Sequence, residues 1–293
     1  MIDVQEAFRK FRSRLELTQR EQADASRRQQ EIRQVLAREF KREHDFLTGS
    51  YKRHTKTKPL KDVDIFFVLH ADERHYRDKP PSMGLADFER VLADEYGSAC
   101  VSRQHRSVCV HFDIAGEEER VMSFDVVPAF AKGNHYEIPD TTAPDGWIET
   151  DPRVHEELAQ KAHADFNDEW KGMVRMAKKW NEVRGKPLRP SFLIEVMALD
   201  LLRPPFGGDY PFEFKSFFAS MAERVYDEWP DPAGLGPAVS DGMSRAEKAE
   251  AARALEAASE HARHAIRLAR EGRNGDALRI WRDEVFGDWF PLS

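Results

Sequence analysis

Apolar positions near the start of the chain recur at helical spacing. Val4, Phe8, Phe11 and Leu15 follow a 4-3-4 rhythm, and Ile32, Val35, Leu36 and Phe40 resume it. Between them, Thr18 to Gln30 is almost wholly polar. The pattern predicts one long helix over residues 1–43, packed at both ends and solvated in the middle. From about 46 to 140 the rhythm is mixed. Segments 63–69, 107–114 and 120–127 alternate or are β-branched enough to predict strands. Ala115-Gly-Glu-Glu-Glu119 reads as a hairpin-like turn between the last two. A helix is predicted over 84–96, with Leu85, Phe88, Val91 and Leu92 on one side.

From about 153 onward the chain reads as helical. Two segments are expected within 153–183, then one each at 190–202 and 212–228. A Pro/Gly-rich connector covers 230–242. An alanine-rich helix follows over 244–271, with Ala249, Ala252, Leu255, Ala258, Ala262, Ile266 and Ala269 at helical spacing. A shorter helix covers 276–290, and no internal repeat is visible. The change from mixed to all-helical pattern near 140–155 predicts an α+β protein in two parts. Residues 1–150 would hold the N-terminal helix and a mixed core, and 151–293 a helical lobe.

Composition narrows the setting. No apolar run approaches the 18 or so residues of a membrane helix. The first residues lack the basic and apolar regions of a secretory signal. Two cysteines, Cys100 and Cys109, offer no disulfide framework. Together these features point to the cytoplasm. The net charge of −7 argues against a dedicated binder of long nucleic acid. Basic residues are instead local: Lys52, Arg53, Lys56, Lys58 and Lys61 crowd one stretch, which suits a small polyanion such as a nucleoside triphosphate. A solvated loop is the competing reading of that run.

That stretch leads into the candidate chemistry. Gly49-Ser50 forms a small-residue turn, and Asp62-Val63-Asp64 enters an apolar strand after the basic loop. In a strand, alternate side chains share a face, so Asp62 and Asp64 are expected to point one way and Val63, Ile65, Phe67 and Leu69 the other. Side-by-side carboxylates repel unless a cation lies between them, and Mg²⁺ takes hard oxygen ligands beside substrate phosphates. Asp125, in Ser123-Phe-Asp-Val-Val127, supplies a third carboxylate on a later strand. Three such residues on adjacent strands can hold two Mg²⁺ ions and align a hydroxyl against an α-phosphate. Glycine at 49 lets backbone approach a phosphate, and successive amides with the Ser50 hydroxyl can cradle β- and γ-phosphate oxygens. Lys178, in a helix ending Trp180-Asn181, and Ser191, opening the next helix, are further triphosphate contacts of ordinary kind. A surface helix residue is the competing reading of Lys178, and an N-cap that of Ser191, where both roles can coexist.

Gly49-Ser50, Asp62-Val-Asp64 and Asp125 together resemble the polymerase-β-like nucleotidyltransferase superfamily. Tyr136-Glu-Ile-Pro-Asp140, Gly146-Trp147, Thr150-Asp-Pro152, Lys178-Lys-Trp-Asn181, Ser191-Phe-Leu-Ile-Glu195, Asp231-Pro232 and Trp281 with Phe286-Gly-Asp288 narrow the resemblance. It is to the bacterial cGAS/DncV-like nucleotidyltransferases, or CD-NTases, and it covers nearly the whole chain. The resemblance implies a bilobed fold with a long N-terminal spine helix. It implies synthesis of cyclic di- or trinucleotide second messengers from ATP, GTP or other NTPs. Those messengers would act on a separate effector in antiphage (CBASS) signalling. By matched position, Asp62, Asp64 and Asp125 would bind Mg²⁺, with Mn²⁺ as an alternative. Gly49, Ser50, Lys178 and Ser191 would bind nucleotide. Some relatives are regulated through their C-terminus, so Phe290-Pro-Leu-Ser293 could receive a regulatory protein. No zinc-binding insertion like that of animal cyclic GMP-AMP synthase is visible, which argues against activation by DNA or RNA.

Two rival readings share these residues. A CCA-adding, poly(A) or antitoxin-like nucleotidyltransferase would use the same carboxylates on RNA or protein; the acidic net charge and the absence of an RNA-binding appendage count against it. A catalytically silent nucleotide sensor is disfavoured by the presence of all three carboxylates. Cys100, His105, Cys109 and His111 match no standard zinc spacing and read as packing and surface residues.

Overall fold

The computed structural model describes residues 2–113 and 121–293. The turn expected at 115–119, with the adjoining ends of its two strands, lies outside the described residues. The chain divides into two compact units. One comprises residues 17–156 and 233–236; the other comprises 1–16, 157–232 and 237–293.

The first unit is built on a seven-stranded sheet. Its strands are β1 (Arg42–Thr48), β2 (Val63–Leu69), β3 (Val101–Arg103), β4 (Val108–Asp113), β5 (Val121–Lys132), β6 (His135–Pro139) and β7 (Trp147–Thr150). The hydrogen-bonded order is β1-β2-β5-β4-β3, with β6 joining β5 and β7. β2 and β5 run parallel; every other pair is antiparallel. Only three of these strands were predicted. β1 was missed because its charged start, Arg42-Glu-His-Asp45, hides the alternation of an edge strand. The short strands β3, β6 and β7 have little pattern to detect.

Val63, Ile65, Phe67 and Leu69 of β2 face one core, as expected. They pack there with α2 (Gln19–Glu39) and α4 (Pro81–Tyr96) through Ile32, Leu36, Leu85 and Phe88. Phe66 and Val68 face the opposite side, where Val127, Ala129, Tyr136 and Ile138 make a second, smaller core. The strand is therefore apolar on both faces, and Asp64 is the polar position at its start.

The single helix expected over 1–43 is two helices. α1 (Val4–Arg14) belongs to the helical unit and α2 to the sheet unit. The break is encoded: Thr18 caps α2 by accepting from the Glu21 amide, and the Glu21 carboxylate takes the Thr18 amide in return. That Thr-x-x-Glu signature lies inside the polar stretch that had been read as solvated helix.

The second unit is helical: α5 (Pro152–Asp165), which spans the division between the units, then α6 (Trp170–Val183), α7 (Phe192–Leu201), α8 (Tyr210–Arg224), α9 (Arg245–Arg270) and α10 (Asn274–Arg279). A π-helical stretch, Ile280–Phe286, replaces the expected continuous last helix. Phe8 of α1 meets Tyr210, Phe214, Trp281, Phe286 and Phe290 with ring centroids 4.8–5.8 Å apart. The first helix thus completes the aromatic core of the helical unit.

Candidate active site

The site grows from the register of three strands. Thr48 at the end of β1 pairs with Asp64, and Asp64 pairs with Asp125 across the parallel β2–β5 ladder. Cys109 of β4 pairs with Asp125 from the other side. Two carboxylates thus stand at neighbouring positions on adjacent strands, as expected.

Asp62 departs from expectation in its backbone. β2 begins at Val63, and Asp62 has a left-handed φ of +53°. It is not a strand residue, so the alternation argument does not reach it. Ser123 sets its position instead. The Ser123 hydroxyl accepts from the Asp62 amide at 2.9 Å and donates to Asp62 Oδ1 at 2.9 Å. Asp62 Oδ2 takes the Lys56 ammonium at 3.2 Å.

Gly49 follows β1 and opens a single helical turn, α3 (Gly49–Lys52). Its φ is +66°, a region that disfavours any side chain. A Cβ there would lie 1.7 Å from Asp64 Oδ2. Glycine is required because the Asp64 carboxylate occupies the space a side chain would need. The loop then folds back on this turn: the Ser50 carbonyl accepts from the amides of Thr55 (2.9 Å) and Lys56 (3.1 Å), and the Gly49 carbonyl from Arg53 (3.1 Å). The basic run is consequently no free solvated loop. Arg53 is buried, Lys58 pairs with Glu21 at 3.2 Å, and Lys52 lies 3.5 Å from Glu156.

Electrostatics of the site favour a cation. Burial, then the Asp125 charge, pushes Asp64 up to about 7, against the pull of Arg53 and Lys56. Asp125 is also raised, by burial first and by Asp62 second. Burial and the neighbouring Asp125 push the Cys109 thiol up, which keeps it protonated. Asp125 Oδ1 is buried with no hydrogen-bond partner. A buried carboxylate oxygen without a donor, beside a second raised carboxylate, fits a divalent cation with oxygen preference. Among the described residues, no three His, Cys, Asp or Glu side chains are gathered closely enough to cage a metal unaided. That donor set suits Mg²⁺, which takes one or two carboxylates together with waters and substrate phosphates.

The remaining expected residues belong to the helical unit. Lys178 lies on α6 and is buried; its ammonium donates to Glu195 Oε1 at 2.6 Å. It is not a surface lysine. Ser191 is exposed at the N-terminus of α7 and makes no side-chain capping bond. Phe290 is core, so in the tail only Leu292 and Ser293 retain exposure for a partner. Sequence reasoning missed Ser123 and Cys109 as parts of the site, and named Lys56 only within a basic run suited to a polyanion, without its partner Asp62. Ser123 was legible, since it shares a strand face with Asp125. The other two needed the register and the folded loop. No helix among the described residues is long and apolar enough to cross a membrane.

Known proteins resemble this chain in sequence and in fold. Residues 2–162 match the model of the Second Messenger Oligonucleotide or Dinucleotide Synthetase domain. A probable cyclic nucleotide synthase of Bacillus cereus (strain VD146) is 26% identical over 272 residues, covering 83% of this chain and 81% of that protein. A cyclic AMP-AMP-AMP synthase of Acinetobacter sp. is 27% identical over 270 residues, covering 85% and 73%. In fold, CdnC of E. coli MS115-1, solved in complex with HORMA-deltaN, superposes with a TM-score of 0.71 over 99% of this chain and 98% of that one, at 18% identity. The α+β, polymerase-β-like architecture is thus shared well beyond recognisable sequence. With more than half of its length matched, the chain belongs to the Second Messenger Oligonucleotide or Dinucleotide Synthetase family, the bacterial cGAS/DncV-like nucleotidyltransferases.

Proposed function

We propose that this enzyme joins nucleoside triphosphates into a cyclic di- or trinucleotide second messenger, with release of pyrophosphate, in antiphage signalling in the cytoplasm. The observation that carries the reading is the pairing of Asp64 with Asp125 directly behind a glycine that no other residue can replace. The synthase names of the two curated relatives support the cyclic product.

In this reading Asp62, Asp64 and Asp125 hold Mg²⁺ or Mn²⁺. When bound, such ions lower the pKa of an attacking hydroxyl and neutralise a pyrophosphate leaving group. The chain's own residues do the rest by position. Gly49 leaves the room that the Asp64 carboxylate fills beside the turn, and the backbone of this turn with the amide and hydroxyl of Ser50 receives the triphosphate. Ser123 holds Asp62 in its left-handed conformation through paired hydrogen bonds. Asp125 orients the ribose hydroxyl of the acceptor and helps to take its proton. On the family resemblance alone Ser191 and Lys178 are kept as proposed nucleotide contacts, and Lys178 would have to share its charge with Glu195. The linear product of the first transfer turns over and closes in a second. The HORMA-deltaN complex of the E. coli neighbour supports a regulatory protein partner here, and the product would pass to a separate effector.

The test is incubation with mixed labelled NTPs and Mg²⁺ or Mn²⁺, phosphatase treatment, and mass spectrometry. A phosphatase-resistant cyclic product from the wild type, absent with Asp64→Ala, is expected. Transfer of label to added RNA would assign the enzyme to the RNA-modifying branch instead. An equal yield from a folded Asp62→Ala/Asp64→Ala double variant would remove the carboxylates from the mechanism.

A further inference from the structure

Lys56 occupies an unusual place for a lysine in a basic loop. Its backbone amide is tied to the Ser50 carbonyl at 3.1 Å, within the glycine-serine turn. Its side chain is mostly buried and runs to Asp62 Oδ2 at 3.2 Å. One residue therefore bridges the turn proposed for the triphosphate and a carboxylate proposed for the metal. Its charge also acts on the other two carboxylates, opposing the rise of both Asp64 and Asp125. Among the neighbouring basic side chains, Lys58 pairs with Glu21 and Lys52 with Glu156, and Arg53 acts on Asp64.

Three neighbouring carboxylates repel each other and need a counter-charge. The ammonium of Lys56 supplies it at Asp62, and Arg53 acts with Lys56 on Asp64. A divalent ion arriving alone must displace that ammonium from Asp62 and then stand beside it, like charge against like. A nucleotide changes the balance, because its triphosphate offers oxygens to the same ammonium. Lysine suits such an exchange: it is a point charge on a flexible four-carbon stem, with no fixed fork to satisfy.

We propose that Lys56 is a resident counter-ion of the carboxylate site that moves from Asp62 to the triphosphate when nucleotide binds, so that metal and nucleotide bind cooperatively. The inference rests on the metal-dependent reading above. Its consequence is that metal without nucleotide binds weakly, and that removing the lysine charge weakens the coupling of the two ligands to what direct metal–phosphate contact supplies.

Mn²⁺ binding to the full chain, followed by the loss of the free-ion paramagnetic resonance signal, tests this with and without an α,β-methylene ATP analogue. In the wild type the analogue should tighten Mn²⁺ about 10-fold or more, within the usual range of coupling between sites. Lys56→Met should bind Mn²⁺ alone several-fold more tightly, bind the analogue several-fold more weakly, and show a coupling several-fold smaller than the wild type. Lys56→Arg should retain most of the coupling. Lys56→Gln carries the same test should the methionine variant not fold. Unchanged Mn²⁺ affinity and coupling in a folded Lys56→Met overturns the proposal and leaves the metal site standing. Equal Mn²⁺ binding by wild type and Asp64→Asn overturns the carboxylate site itself, and this proposal with it.

Discussion

Gly49 and Asp64 cannot be considered separately. The Asp64 carboxylate fills the space where a side chain at 49 would begin, and the backbone there has positive φ. Gly49→Ala must therefore shift the turn, the carboxylate, or both. Displacing a reacting group by about 1 Å can cost 100-fold in rate, so product formation should fall by about that factor or more. Strain at a left-handed non-glycine residue adds about 1–3 kcal/mol of destabilisation, visible as a lower melting temperature. A variant that melts and reacts like the wild type would contradict the close approach. Asp64 also makes stability depend on pH. Its folded pKa, about 7, lies above the ordinary 3.8. Below about pH 4 both folded and unfolded chains hold the proton and the residue contributes nothing. Between there and neutrality the folded chain alone keeps it, so stability falls as pH rises; above about 7 the penalty is complete. Calorimetry without metal should show Asp64→Asn more stable than wild type at pH 8, with the advantage fading toward pH 4. A difference that does not vary with pH would show that ionisation is not its cause.

At the scale of elements, the break between α1 and α2 matters most. Thirteen residues, Thr18 to Gln30, almost all polar, within a helical rhythm invite reading through, yet the Thr18–Glu21 box starts a new helix there. Thr18→Ala removes the cap and should cost about 1 kcal/mol. For a unit of this size that lowers the melting temperature by about 2–4 °C. Glu21 also holds Lys58 at 3.2 Å, so Glu21→Ala should cost at least as much as Thr18→Ala. No shift in either would mean that α2 starts by packing alone. The strands show the opposite failing. β2 was legible because Val63-Asp-Ile-Phe-Phe-Val-Leu69 is apolar nearly throughout, as a strand covered on both faces must be. β1 was not, because an edge strand with an exposed, charged start carries no such pattern.

For the whole molecule, the change in hydrophobic period near 140–155 falls where the last strand ends at Thr150 and the run of helices begins at Pro152. Contacts refine it. The sheet unit runs to residue 156, and the first 16 residues belong with the helical unit. Periodicity describes only the residues nearby in the chain. It marks Phe8 as a core position and says nothing of Trp281, Phe286 and Phe290, the rings it meets. The candidate site divides in the same way. By itself the order of residues determined the chemistry on offer: a small-residue turn, a pair of acids entering an apolar strand, a third acid on a later strand, and the family these mark. Tertiary structure alone decided how they are arranged. It set Asp64 against Asp125 across a parallel ladder, turned Asp62 out of the strand under the hold of Ser123, and laid Lys56 across the site. It also committed Lys178 to Glu195. The physical reason is range. Side-chain period and capping are local and written within a few residues, whereas register, burial and charge pairing join residues far apart in the chain, 61 positions at Asp62 and Ser123 and more between Phe8 and Phe290.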